Sequence, residues 1–113
     1  MLNECKLALR ITAAAYDGEL CSLMDAGAKD LETAGVVLPG TVSFAATNQG
    51  MQDNSTLTDA LCQRAIFTYV RMMFGSPDDF ERLREAYHAQ KVQLMHAQGY
   101  TFYGGEAVGD VQG

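Results

Sequence analysis

Three cysteines (Cys5, Cys21, Cys62), two histidines (His88, His96), an aspartate pair (Asp78, Asp79) and two arginines seven apart (Arg64, Arg71) are the residues whose types could support chemistry. A cysteine nucleophile needs a histidine held beside it to take its proton. Both histidines fall in one late stretch, and nothing in the spacing brings either to a cysteine. A structural zinc site needs ligands at short, matched spacings. No CxxC occurs, and the histidines lie eight apart, more than two helical turns. The cysteines are odd in number and widely spaced, so three reduced thiols are expected, at least two of them core filler. Asp78 and Asp79 follow Ser76-Pro77, where carboxylates suit the positive end of a helix and no metal is needed to explain them. No GxxxxGKS/T, GxGxxG, GxSxG or HExxH segment is present. The chain therefore reads as a non-enzyme with no catalytic residue, cofactor or metal. Arg64 and Arg71 remain: they can grip a partner's carboxylate or phosphate, or they form a solvated stripe.

The elements that position these residues are helical. At 113 residues, with 48% hydrophobic and 19% charged residues, the chain fits one domain with its own core. No apolar run approaches the roughly 20 residues needed to span a bilayer, and the N-terminal stretch lacks the apolar core of a secretory signal. The protein reads as soluble and cytoplasmic in character, with no membrane partner. A net charge of −6, from 14 acidic and 8 basic residues, opposes tight binding to nucleic-acid phosphates.

Apolar spacing predicts helices near 2–10, 18–34, 58–74 and 77–98. In the second, Asp17 is read as N-cap, Leu20, Leu23, Met24, Gly27, Ala28 and Leu31 form the buried face, and Gly35 ends the helix in a left-handed turn. The third is apolar nearly all round except for the Arg64/Arg71 stripe, as expected of a central helix, and Gly75 closes it. The fourth is read with Ser76 as N-cap, Pro77 at its first position, an Asp78–Arg82 attraction, and Phe80, Leu83, Tyr87 and Leu94 on one side. Residues 36–57 form a long irregular loop, with a short β-hairpin around Pro39-Gly40 built from Val36, Val37, Val42 and Phe44. The tail, YTFYGGEAVGDVQG, sets Tyr100, Phe102 and Tyr103 ahead of a glycine-rich acidic end. It is expected to be a flexible arm of residues 100–113 beyond a helical domain of residues 1–99. The expected fold is all-α: a small bundle of about four helices.

The stretch 57–94 then resembles the head–tail connector (adaptor, head-completion) proteins of long-tailed bacteriophages. The likeness rests on Asp59, Leu61, Arg64, Ala65 and Ile66, then Tyr69-Val70 and Phe74-Gly75, then Arg82, Leu83, Ala86 and Tyr87. The N-terminal half agrees through Lys6, Leu9, Arg10 and Ile11, then Asp17, Leu20, Ala28 and Leu31. The order and spacing of these residues carry the resemblance; no single motif does. It extends over most of residues 2–98, and neither the 36–57 loop nor the tail follows a family pattern. The resemblance implies a structural virion protein at the head–tail junction, assembled in the host cytoplasm. Its copies would form a homo-oligomeric ring of about a dozen subunits under the portal protein. That ring would close the head after DNA packaging and present a platform to a tail-side stopper or tail terminator protein. DNA would pass through the lumen without sequence-specific binding. Arg64, Arg71, Tyr100, Phe102 and Tyr103 are the candidate interface residues. The competing reading is a non-viral helical interaction or DNA-binding module built on the third and fourth helices. The acidic start of the fourth helix (Asp78, Asp79, Glu81) lies where phosphate and base contacts should be made.

Overall fold

The computed structural model describes residues 1–75 and 77–97. Over them the chain forms α1 (Leu2–Leu9), α2 (Asp17–Thr33), β1 (Phe44–Thr47), β2 (Gly50–Asp53), α3 (Ala60–Met73) and α4 (Phe80–His96). A single 3₁₀ turn, Ala14–Tyr16, leads into α2. The architecture is thus mostly helical with four helices, plus a two-stranded antiparallel sheet.

Helix α3 is the centre of the packing. Asp59 caps it: its side-chain oxygen accepts from the Cys62 amide at 3.0 Å, satisfying an N–H that a helix start leaves unpaired. Cys62, Ala65, Ile66 and Val70 recur at helical spacing and are wholly buried. They pack α3 against α2 and α4. Gly27 of α2 is needed there, because a Cβ at that position would lie 3.0 Å from Cδ1 of Tyr69. Tyr69 also meets Tyr87 of α4, with ring centroids 5.4 Å apart. The Tyr87 hydroxyl donates to the Asp30 carboxylate, and Lys91 Nζ reaches the same oxygen at 3.2 Å, which ties α4 to α2. Burying each large core side chain, such as Leu20, Leu31, Ile66 or Leu94, contributes roughly 1.5–3 kcal/mol.

Several boundaries and partners differ from the sequence reading. Asp17 is the first residue of α2 and Tyr16 occupies its N-cap. Helix α4 starts at Phe80 with Asp79 at its N-cap, so Pro77 lies outside it. Gly75, at φ 68, begins the reversal that turns the chain back along α3, and Pro77–Asp79 complete it. The 17 residues of α4 give a rod of about 26 Å. Ser76 falls outside the described residues, and the helix ends at His96 with Ala97 extended as its C-cap, short of the expected Gln98. Arg82 pairs with Asp79 and not with Asp78. Phe80 points outward (38% exposed), while Leu83, Tyr87 and Leu94 are buried as the spacing implied. On α2, Cys21 is buried and Leu23 only half so.

The loop is better organised than its sequence suggests. The hairpin is Phe44–Thr47 against Gly50–Asp53, with Phe44 opposite Asp53 and Asn48-Gln49 in the turn, and it is not centred on Pro39-Gly40. Val36 is not a strand residue of that hairpin but a core residue, 2% exposed. Gly40 marks a close crossing, since a Cβ there would sit 2.7 Å from the Leu57 Cα. Hydroxyls then join the two limbs: Thr41 N–H donates to Thr56 Oγ1 at 2.8 Å and Ser43 N–H to Ser55 Oγ at 3.0 Å. At the hairpin base, Asp53 accepts from the Met1 amine at 2.6 Å and the Leu2 amide at 2.9 Å, anchoring β2 to the start of α1.

Candidate functional site

Arg64 and Arg71 come together on the face of α3 that looks toward α1. With Ala60, Gln63, Phe67 and Thr68 they line one side of a shallow groove of about 300 Å³, and Ala8 and Leu9 of α1 line the other. Positions 60, 64, 67, 68 and 71 recur at i, i+4, i+7, i+8 and i+11, so helical geometry alone places them on one stripe. Arg71 also serves the fold, because its Nη2 donates to the Ala8 carbonyl at 2.6 Å and satisfies an acceptor that the end of α1 leaves free. Arg64 stays exposed on the rim.

The electrostatics of this groove differ from those of the rest of the surface. Five of the eight lysines and arginines pair with a carboxylate of the chain: Lys6 with Asp17, Lys29 with Asp25, Arg82 with Asp79, Arg84 with Glu81 and Lys91 with Asp30. The other three are Arg10, Arg64 and Arg71, none of which has a carboxylate partner among the described residues. In a chain of net charge −6, the uncompensated positive charge is thus gathered at the end of α1 and along the outer stripe of α3. Arg10 directly follows the groove residues Ala8 and Leu9. Its backbone is left-handed (φ 59, ψ 43) at the end of α1, where Ile11 N–H closes back on the Lys6 carbonyl at 2.9 Å. Glycine would take that conformation without the steric cost an arginine bears.

The remaining candidates are not assembled into chemistry. Cys5, Cys21 and Cys62 are free and buried. Burial, then the nearby Cys21, pushes the Cys5 thiol up to about 12. Burial, then Asp59, does the same for Cys62, and Cys21 is pushed to about 11, again mainly by burial. A thiol at such values is not the thiolate that attacks or binds metal near neutral pH. His88 and His96 are exposed on α4. Among the described residues, no group of three or more His, Cys, Asp or Glu side chains is placed to hold a metal ion. No described helix is long and apolar enough to cross a membrane. A second exposed feature is apolar: Met73 (46% exposed) and Phe80 line a hollow with Met72, Gly75 and Pro77 at the α3–α4 turn. Tyr100, Phe102 and Tyr103 lie outside the described residues.

Comparison with protein families gives one decisive match: a family described as phage connector protein covers residues 1–101. The chain belongs to the phage connector protein family. That membership supports a structural role as a connector in a phage virion, at the junction of head and tail, in a family that is not typically enzymatic. It also implies interaction with other head or tail proteins. No curated protein and no solved structure matches the chain.

The sequence marked Arg64 and Arg71 as interface candidates and Leu9 and Arg10 only as part of the family resemblance; it did not place Leu9, Arg10 or Phe67 at a groove. The i, i+3, i+7 recurrence of Arg64, Phe67 and Arg71 was the available signal for Phe67. The left-handed backbone of Arg10 is not signalled by its residue type, because glycine usually occupies such a position.

Proposed function

We propose that copies of this chain assemble into a ring between the portal and the tail of a phage, closing the head after DNA packaging and providing the platform for tail attachment. The match to the connector family over residues 1–101 carries this reading. Closed rings are built from heterologous contacts, in which one subunit presents two different surfaces. The arginine groove and the Met73/Phe80 hollow are two exposed surfaces of different chemistry that suit such a role. The chain's net charge of −6 favours a lumen that DNA passes without sticking, because phosphates are repelled. The partners in this reading are further copies of the chain (about a dozen), the portal protein, and a tail-side stopper or terminator protein. Arg64, Arg71, Tyr100, Phe102 and Tyr103 are its interface residues. Sedimentation of the full chain with purified portal rings tests it. Co-migration at a fixed ratio of several copies per portal ring is expected; a chain that never co-migrates at any concentration would overturn the reading.

A further inference from the structure

We propose that the α1/α3 groove is the receptor for the C-terminal segment of a neighbouring copy. Tyr100, Phe102 and Tyr103 of that segment would lie on the apolar floor, and Glu106 and Asp110 on the arginine rim. This rests on the ring reading above and names the contact that joins one subunit to the next.

The first support is charge. The segment from residue 98 to residue 113 holds two acidic side chains and no lysine or arginine, and the groove is where the chain's uncompensated arginines gather. Opposite potentials of this kind select partners and fix their register. The second support is composition. Three aromatics precede the acids, and the groove offers Leu9, Ala60 and Phe67 as apolar surface beside guanidinium groups on which aromatic rings stack well.

Spacing agrees with both. Arg64 and Arg71 are seven helical residues apart, about 10 Å. Tyr103 and Glu106 are three residues apart, about 10 Å when extended. One strand-like segment can therefore place an aromatic ring at Arg64 and a carboxylate at Arg71. Arg10 supplies an independent sign. A non-glycine residue held in the left-handed region beside this groove is the kind of strain that accompanies a binding role.

In the ring reading the donor is a second copy, because heterologous contacts that close a ring join one subunit to the next.

The test uses two full-length variants mixed in equal amounts, Ala60→Cys in the groove and Thr101→Cys in the tail, under mild oxidation; with Tyr103 at Arg64, position 101 falls beside position 60. The native cysteines are buried and do not compete. A disulfide between the two different variants is expected, in clear excess over a Ser22→Cys control on the exposed face of α2. Adding Arg64→Glu and Arg71→Glu to the groove copy lowers its yield about tenfold. Adding Glu106→Lys and Asp110→Lys to the tail copy restores it. Native mass spectrometry of the same mixtures separates the two ways of failing. Copies that associate without the 60–101 disulfide would overturn the groove assignment and leave the ring reading standing. Copies that never associate would overturn both, and a disulfide confined to a double-cysteine single chain would assign the groove to the chain's own tail and overturn the neighbour.

Discussion

Helix α3 has two sides with opposite patterns of charge and packing. On the side facing α2 and α4, Gly27, Tyr69 and Tyr87 interlock, and Asp30 receives both the Tyr87 hydroxyl and Lys91. Each lysine and arginine carried by α2 and α4 is neutralised close by. On the side facing α1, the same helix shows a shallow, half-apolar groove edged by arginines without carboxylate partners among the described residues. A surface whose charges are matched internally asks nothing of a partner; one left unmatched on an acidic protein is built to be completed from outside. The difference also separates folding from assembly, because the residues that hold the bundle and those that remain available are on different stripes of one helix.

Substitutions on the two stripes should part company, and the largest effect belongs to the sealed side. Ile66→Ala removes a fully buried side chain and should cost about 2–5 kcal/mol in a urea unfolding experiment. Gly27→Val should cost about 1–3 kcal/mol by driving side-chain atoms into Tyr69. Phe67→Ala, half-buried in the groove, should cost under about 2 kcal/mol. An equal loss at Phe67 and Ile66 would mean that the groove is closed core and would break the comparison.

The next effect in size is the acid response of the hairpin anchor. Burial opposes ionisation of Asp53, but hydrogen bonds from the Met1 amine, the Leu2 amide and Ser55 outweigh it and hold the carboxyl at about 2. A depressed folded-state value means that the stabilisation is complete above the ordinary value near 3.8 and is lost as pH falls toward about 2. Urea midpoints measured down through that window should fall more steeply for the parent than for Asp53→Asn. Parallel curves would remove Asp53 as the anchor. Tyr87 acts at the other extreme: burial, then Asp30, raises its hydroxyl above the ordinary value of 10.0. Its contribution is intact below that value and is lost in strong alkali.

Smaller still, and opposite in sign, is Arg10→Gly. It should raise stability by about 1 kcal/mol by relieving the left-handed arginine while weakening association between copies. A variant that gains stability and associates normally would strip Arg10 of any binding role. The smallest effect is expected for Arg84→Ala, whose exposed pair with Glu81 should contribute little measurable stability and leave assembly untouched.

Much of the sealed side was legible in the sequence, because burial on a helix repeats with a fixed period. Leu20, Met24, Gly27, Ala28 and Leu31 on α2, and Leu83, Tyr87 and Leu94 on α4, follow from that period alone. Gly35 and Gly75 adopt the positive φ expected where helices end. What escaped depends on contacts distant in sequence. The Pro39-Gly40 bend looked like a hairpin turn, yet it serves a crossing over Leu57, and Val36 left the strand pattern for the core. Ser76-Pro77-Asp78 looked like a helix start, but residues 77–79 are used to reverse the chain before α4. Half of the candidate site was likewise legible: Arg64 and Arg71 stood out as a charged stripe, but their groove partners on α1 are more than fifty residues away.

Native mass spectrometry of three full-length proteins across a range of concentrations tests the central claim most directly: the parent, Arg64→Glu/Arg71→Glu, and Arg82→Glu/Arg84→Glu, which makes the same change in net charge on α4. The parent and the α4 variant should form the same closed oligomer while the groove variant stays monomeric. Identical behaviour of all three, whether assembled or monomeric, would contradict it.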